Sequence, residues 1–137
     1  MNKQILKKLD DAKIEELVEI AEEEAKQLVK DQLKTSQIRN FYAAVSKMKI
    51  DYEKSKVDSD NKGKPEPLYD AIRMDLIMLK PKLAYAAGRQ KSVKKFYYLM
   101  NDAIKGVQAS TNKHKAIENF FALIESVVAY HKFHGGN

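Results

Sequence analysis

The chain has no cysteine among its 137 residues, which excludes both a disulfide framework and a thiolate metal site. Glycine and proline are scarce as well: 5 and 3 residues supply too few turns for an all-β fold. Nowhere do about 18 apolar residues follow one another, the length a membrane-spanning helix needs, and Met1 to Lys8 contains no apolar run of signal-peptide length. A soluble cytoplasmic protein with no membrane association is the expectation. What is abundant is apolar and charged material together. Hydrophobic residues make up 44% of the chain against 32% charged, too many for a disordered polymer and enough for the core of one domain of this length.

Apolar residues recur at helical spacing and nowhere alternate for long, which predicts an all-α protein of five helices in a single domain. The first spans residues 11 to 33, with Asp11 as N-cap, Glu15 and Glu16 at the positive end of the helix dipole, and an apolar stripe of Ile14, Leu17, Val18, Ala21, Ala25, Leu28 and Val29. The second starts at Thr35 or Ser36, buries Ile38, Phe41, Tyr42, Val45, Met48 and Tyr52, and ends near Glu53. Residues 55 to 66 mix turn formers with solvated charge and read as a flexible loop. Pro67 suits the first turn of a third helix lined by Leu68, Ile72, Leu76, Leu79 and Leu83. Pro81 inside that pattern is expected to kink it into two half-helices, with Gly88 left-handed at its end. Ser92 then caps a fourth helix carrying Val93, Phe96, Tyr97, Met100, Ile104 and Val107, its end weakened by Gly106. The fifth follows Ser110-Thr111-Asn112 and runs through Ile117, Phe120, Phe121, Ile124, Val127 and Val128 to Gly135-Gly136.

Catalytic chemistry is hard to find in this sequence. His131 and His134, three apart, share a helix face, but a zinc site needs several convergent ligands and no acid follows Glu125, so no metal or other cofactor is expected. His114, in a polar helix start, is expected in solvent. No Gly-rich phosphate loop and no nucleophile elbow occurs, and no enzyme is expected. Among the aromatic residues Phe41, Tyr42, Phe96, Tyr97, Phe120 and Phe121 fall on apolar stripes and belong to the core. Tyr85 and Tyr130 sit among small residues beside a cation, where a partly exposed ring can support an arginine or meet a ligand.

Charge is the informative property. Of the formal +6, residues 1 to 33 hold six Lys/Arg against nine Asp/Glu, a net of −3, so the acidic first helix is followed by a body, residues 34 to 137, carrying +9. At about 100° per residue, Arg39, Lys47 and Lys54 fall within about 80° of one another on the side of the second helix away from Phe41 and Val45. From Lys80 through Lys95 there are six Lys/Arg, Lys82 and Arg89 among them, and no acid. Two basic strips of this kind suit a polyanion backbone, which Lys and Arg bind without regard to base sequence.

Three ordered phrases carry a family resemblance: Thr35-Ser36-Gln37-Ile38-Arg39, Tyr85-Ala86-Ala87-Gly88-Arg89 and Val128-Ala129-Tyr130-His131-Lys132-Phe133-His134-Gly135-Gly136. Together, over residues 35 to 134, the chain resembles the small subunit of the type III-A CRISPR interference complex, the Csm ribonucleoprotein. The resemblance implies a compact five-helix bundle whose copies line up, as a homodimer or filament, beside the other Csm complex subunits and touch the target RNA paired with the guide. It implies an RNA-binding subunit of antiviral defence that is not an enzyme, since the nuclease and cyclic-oligonucleotide activities belong to other subunits. It makes Arg39 and Arg89 the leading RNA contacts, joined by Lys132. Lys47, Lys54 and Lys82 are added from the charge pattern alone. Each arginine also has a structural alternative: Arg39 bonding helix ends, and Arg89 capping carbonyls of the third helix. The acidic first helix has no counterpart in the resemblance, and would either mask RNA-binding charge or pack against a neighbouring subunit. A second class of function fits the same residues, a helical protein-protein interaction module whose basic faces bind an acidic partner.

Overall fold

The computed structural model describes residues 3–60 and 66–137, of which 88% are helical and none lies in a strand. Five α-helices follow one another: α1 Ile14–Lys30, α2 Thr35–Asp60, α3 Glu66–Arg89, α4 Lys94–Ala109 and α5 Lys113–Phe133. Helix α5 lies at the centre, packed along α1 and also against α2, α3 and α4. Its Ile117, Phe120, Phe121, Leu123, Ile124 and Val127 are buried, which is why its flanks offer so few polar positions. The α3 stripe of Leu68, Ile72, Leu76, Leu79 and Leu83 is buried throughout, as its spacing requires. Tyr42 and Tyr97 are half-buried against the core.

The N-terminal segment belongs to the core, a role its short length hides in the sequence. Lys3–Lys7 and Leu9–Asp11 form two 3-10 turns, and Leu6 and Leu9 are 1% and 0% exposed. Each such burial contributes roughly 1.5–3 kcal/mol. The turns dock on the α4–α5 corner: the Asn119 side-chain amide donates to the Leu9 and Ala12 carbonyls at 2.8 and 3.2 Å. A Cβ on Gly106 would overlap the Leu6 carbonyl oxygen, so this glycine admits the segment and does not fray α4, which continues to Ala109.

Several caps differ from expectation. Asp11 does not cap α1, whose N-cap is Lys13 without a side-chain bond; Ala12 and Lys13 are extended between them. Asp10, beside Asp11, instead accepts from the Thr111 and Asn112 amides at 3.1 and 2.8 Å and so holds the turn ahead of α5. Ile14 is 52% exposed, because the packed face of α1 begins at Leu17 and includes Ile20. Ser92 does not cap α4: it lies in a 3-10 turn, Lys91–Val93, that passes directly into the helix. Gly88 is helical, and α3 stops at Gln90 in extended conformation, so no left-handed residue is needed. Helix α3 is assigned as one helix, Glu66–Arg89, with Pro81 inside it; the proline removes the amide that would donate to Ile77. Helix α2 runs on to Asp60, so residues 55–60 of the expected loop are helical, and residues 61–65 lie outside the described ones.

Among the described residues two are left-handed, Gln32 (φ 66°) and Gly135 (φ 101°), and they end α1 and α5. Both ends close in the same way. After α1, Leu33 donates to Leu28 and Gln32 to Val29, each at 3.0 Å; after α5, Gly136 donates to His131 at 2.8 Å and Gly135 to Lys132 at 3.2 Å. Gly136 has no room for a Cβ, which would overlap the His131 imidazole.

Candidate nucleic-acid interface

The three phrases far apart in the sequence meet at one end of the bundle. The buried imidazole of His131 donates from Nε2 to the Leu33 carbonyl at 2.7 Å, and the Thr35 amide donates to the Asn137 carbonyl, tying the end of α5 to the α1–α2 junction. Lys95, at the start of α4, pairs with Asp31 at the end of α1 at 3.5 Å. A cleft of about 400 Å³ between α2 and α3 is lined by Leu33 and Gln37 on one side and Arg89, Gln90 and Val93 on the other. The ends of α1, α3 and α5 and the starts of α2 and α4 therefore share one surface.

Arg39, Arg89 and Lys132 are all exposed at this end. Arg39 makes no hydrogen bond or ion pair among the described residues, so it does not bond helix ends. Arg89 does not cap α3 either; its guanidinium carbon lies 5.8 Å from the centre of the Tyr85 ring, the aromatic support its neighbour offers. Lys82 lines the same cleft as Arg89. Lys34, Lys91 and Lys94, which no pattern singled out individually, are exposed beside them. Gln37, Asn40 and Gln90 place amides at the cleft. Only a contact between helices could reveal them, since amides carry no charge signal.

Lys47 and Lys54 are not gathered here. At about 1.5 Å per residue they lie about 12 and 22 Å beyond Arg39 along α2. Lys54 borders a second groove, between α2 and α5, together with Glu53 and Glu125. Lys49 in that groove is engaged, its ammonium 2.6 Å from Glu125, which raises its pKa. The Lys80–Lys95 strip is acid-free in sequence but not in space, because Asp31 reaches Lys95.

The histidines have structural roles. His134 meets Glu22 at 2.8 Å, and its ring stacks 6.2 Å from that of the half-buried Tyr130. His114 is not free in solvent: its Nδ1 hydrogen-bonds the hydroxyl of buried Tyr52, and the rings stack at 5.9 Å. Burial, reinforced by Glu118 and Glu53, pushes the Tyr52 phenol well up, so the hydroxyl keeps its proton. Among the described residues no group of His, Asp and Glu could hold a metal, and no helix is long and apolar enough to cross a membrane.

Fold and surface together define a small all-α bundle with its apolar residues at the centre and cations exposed at one end. The chain belongs to the Csm2 Type III-A family, whose model matches residues 11–137; members of this family are the small subunit of the type III-A CRISPR Csm complex. The match takes in α1, so the acidic helix belongs to the family unit, which extends beyond residues 35 to 134. No curated protein and no solved structure matches the chain.

Proposed function

We propose that this chain is a non-catalytic, RNA-binding assembly subunit of a type III-A CRISPR ribonucleoprotein, serving antiviral defence by contacting the target-RNA backbone alongside the guide. The observation that carries this reading is the gathering of exposed Arg39, Arg89, Lys132, Lys34, Lys91 and Lys94 at one end of the bundle. Such an array neutralises phosphates and ignores bases, as a subunit must when the target sequence is read by pairing with the guide. Asp31 holds Lys95 and Glu22 holds His134, ties that order the helix ends and leave Arg39, Arg89 and Lys132 without an ion pair among the described residues. Several copies in a row, held by the other Csm subunits, would multiply a weak contact into firm binding.

Titration of the purified chain with unrelated single-stranded RNAs at several salt concentrations tests this. Similar affinities are expected, with log K falling by about 0.7 per log unit of salt for each phosphate neutralised, and no cleavage in Mg²⁺ or Mn²⁺. Absence of RNA binding at low salt, with retention of an acidic Csm subunit instead, would make the basic end a protein-docking face.

A further inference from the structure

Resting on that RNA-binding reading, we infer that the α2–α3 cleft is a pocket for one unpaired nucleobase, stacked on Tyr85. Tyr85 is 69% exposed, so its ring contributes little to the core. Lys82, Tyr85 and Arg89 stand at i−3, i and i+4 on one face of α3, a cation on each side of an aromatic ring. Arg89 already lies over that ring at 5.8 Å from its centre, a cation–π contact that holds the aromatic side chain in place.

The cleft beside the ring has the composition a base requires. Its floor is apolar, with Phe41 and Phe96 edge to face at 5.0 Å between ring centres. Its rim carries the amides of Gln37, Asn40 and Gln90, which offer both donors and acceptors to the edge of a heterocycle. The Gln37 Oε1 already accepts from the Lys34 amide at 2.9 Å, leaving its NH₂ to donate outward. None of the lining residues is acidic, and Lys82 and Arg89 are placed for the phosphates on either side of an inserted base. A volume of about 400 Å³ is near the lower end of small-ligand pockets, ~300–1,000 Å³. An aliphatic occupant would leave the rim amides and both cations without partners. An unpaired base with its flanking phosphates uses all of them.

The chain contains no tryptophan, so Tyr85→Trp places a single indole at the cleft. Titrating this variant with a short single-stranded RNA and with an abasic strand of equal length and charge is the test. Quenching of the indole is expected with the RNA and not with the abasic strand, although both bind at low salt. In the wild-type background Tyr85→Leu should weaken binding of the base-bearing RNA about 5- to 150-fold, the loss of one stacked base, with an unchanged salt slope, while Tyr85→Phe retains affinity. If both strands quench equally, or if folded Tyr85→Leu binds as wild type does, the base pocket is refuted and the phosphate reading stands. If neither strand binds the wild-type chain at low salt, both readings fall together.

Discussion

His131 holds the carbonyl oxygen of Leu33 at 2.7 Å, a bond that joins the last turn of α5 to the junction from which α2 departs. Both residues are almost wholly buried, so the bond is shielded from water. His131→Ala leaves a cavity and an unpartnered buried carbonyl, and is expected to lower stability by about 2–4 kcal/mol in urea unfolding. Added Zn²⁺ should leave the wild-type midpoint unchanged, because His131 is committed to Leu33 and His134 to Glu22. A rise in midpoint with Zn²⁺ would restore a metal role for the pair.

Gly106 gives a test in which local and tertiary effects have opposite signs. Helix propensity alone predicts that Gly106→Ala stabilises α4 by about 0.5–1 kcal/mol. The overlap of a Cβ with the Leu6 carbonyl predicts the reverse, a loss of about 1–3 kcal/mol as the N-terminal segment is pushed off. A higher thermal midpoint for the alanine variant would show that the segment does not dock there.

Asp10 should make the same region acid-sensitive. Burial alone raises its pKa, but hydrogen bonds from Asn112 and Thr111, with Lys8 nearby, outweigh it and hold the carboxyl below its ordinary value. The unfolded chain therefore binds the proton more readily. The stability Asp10 confers is complete above the ordinary carboxylate pKa of about 4 and is lost as pH falls through the lower folded value. Asp10→Asn should be about 1–3 kcal/mol less stable at neutral pH, and its urea midpoint should fall less than that of wild type on acidification to about pH 3. Equal falls in the two proteins would place the acid sensitivity elsewhere.

The residues that sequence periodicity assigned well are those whose environment is set by one helix. Leu76 and Ile104 are buried because each repeats at helical spacing, and α5 begins after Asn112 as expected. Leu6 and Leu9 escaped because 3-10 turns of three to five residues are too short to show a period. Composition marks Gly88 and Gly106 as helix-ending residues, whereas Gly106 sits inside α4 where Leu6 approaches closely, and Gly88 is an ordinary helical residue of α3 with open space at its Cβ position. The cationic end was legible as charge but not as a surface: Arg39, Arg89 and Lys132 come to one end of the bundle only through the packing of helix ends, and Lys95 is matched by Asp31 from far away in the chain. The cleft between α2 and α3 left no trace in the sequence beyond the exposed setting of Tyr85.

Removing Arg39 and Arg89 together tests most directly whether the cationic end binds RNA phosphates. Neither side chain is buried or hydrogen-bonded, so the Arg39→Ala/Arg89→Ala protein should keep its helicity and thermal midpoint close to wild type. Its affinity for single-stranded RNA should fall, and its salt slope should flatten by about 1.4, the contribution of two phosphates at about 0.7 each. A folded double variant that binds RNA with wild-type affinity and slope would contradict the assignment of this end to RNA.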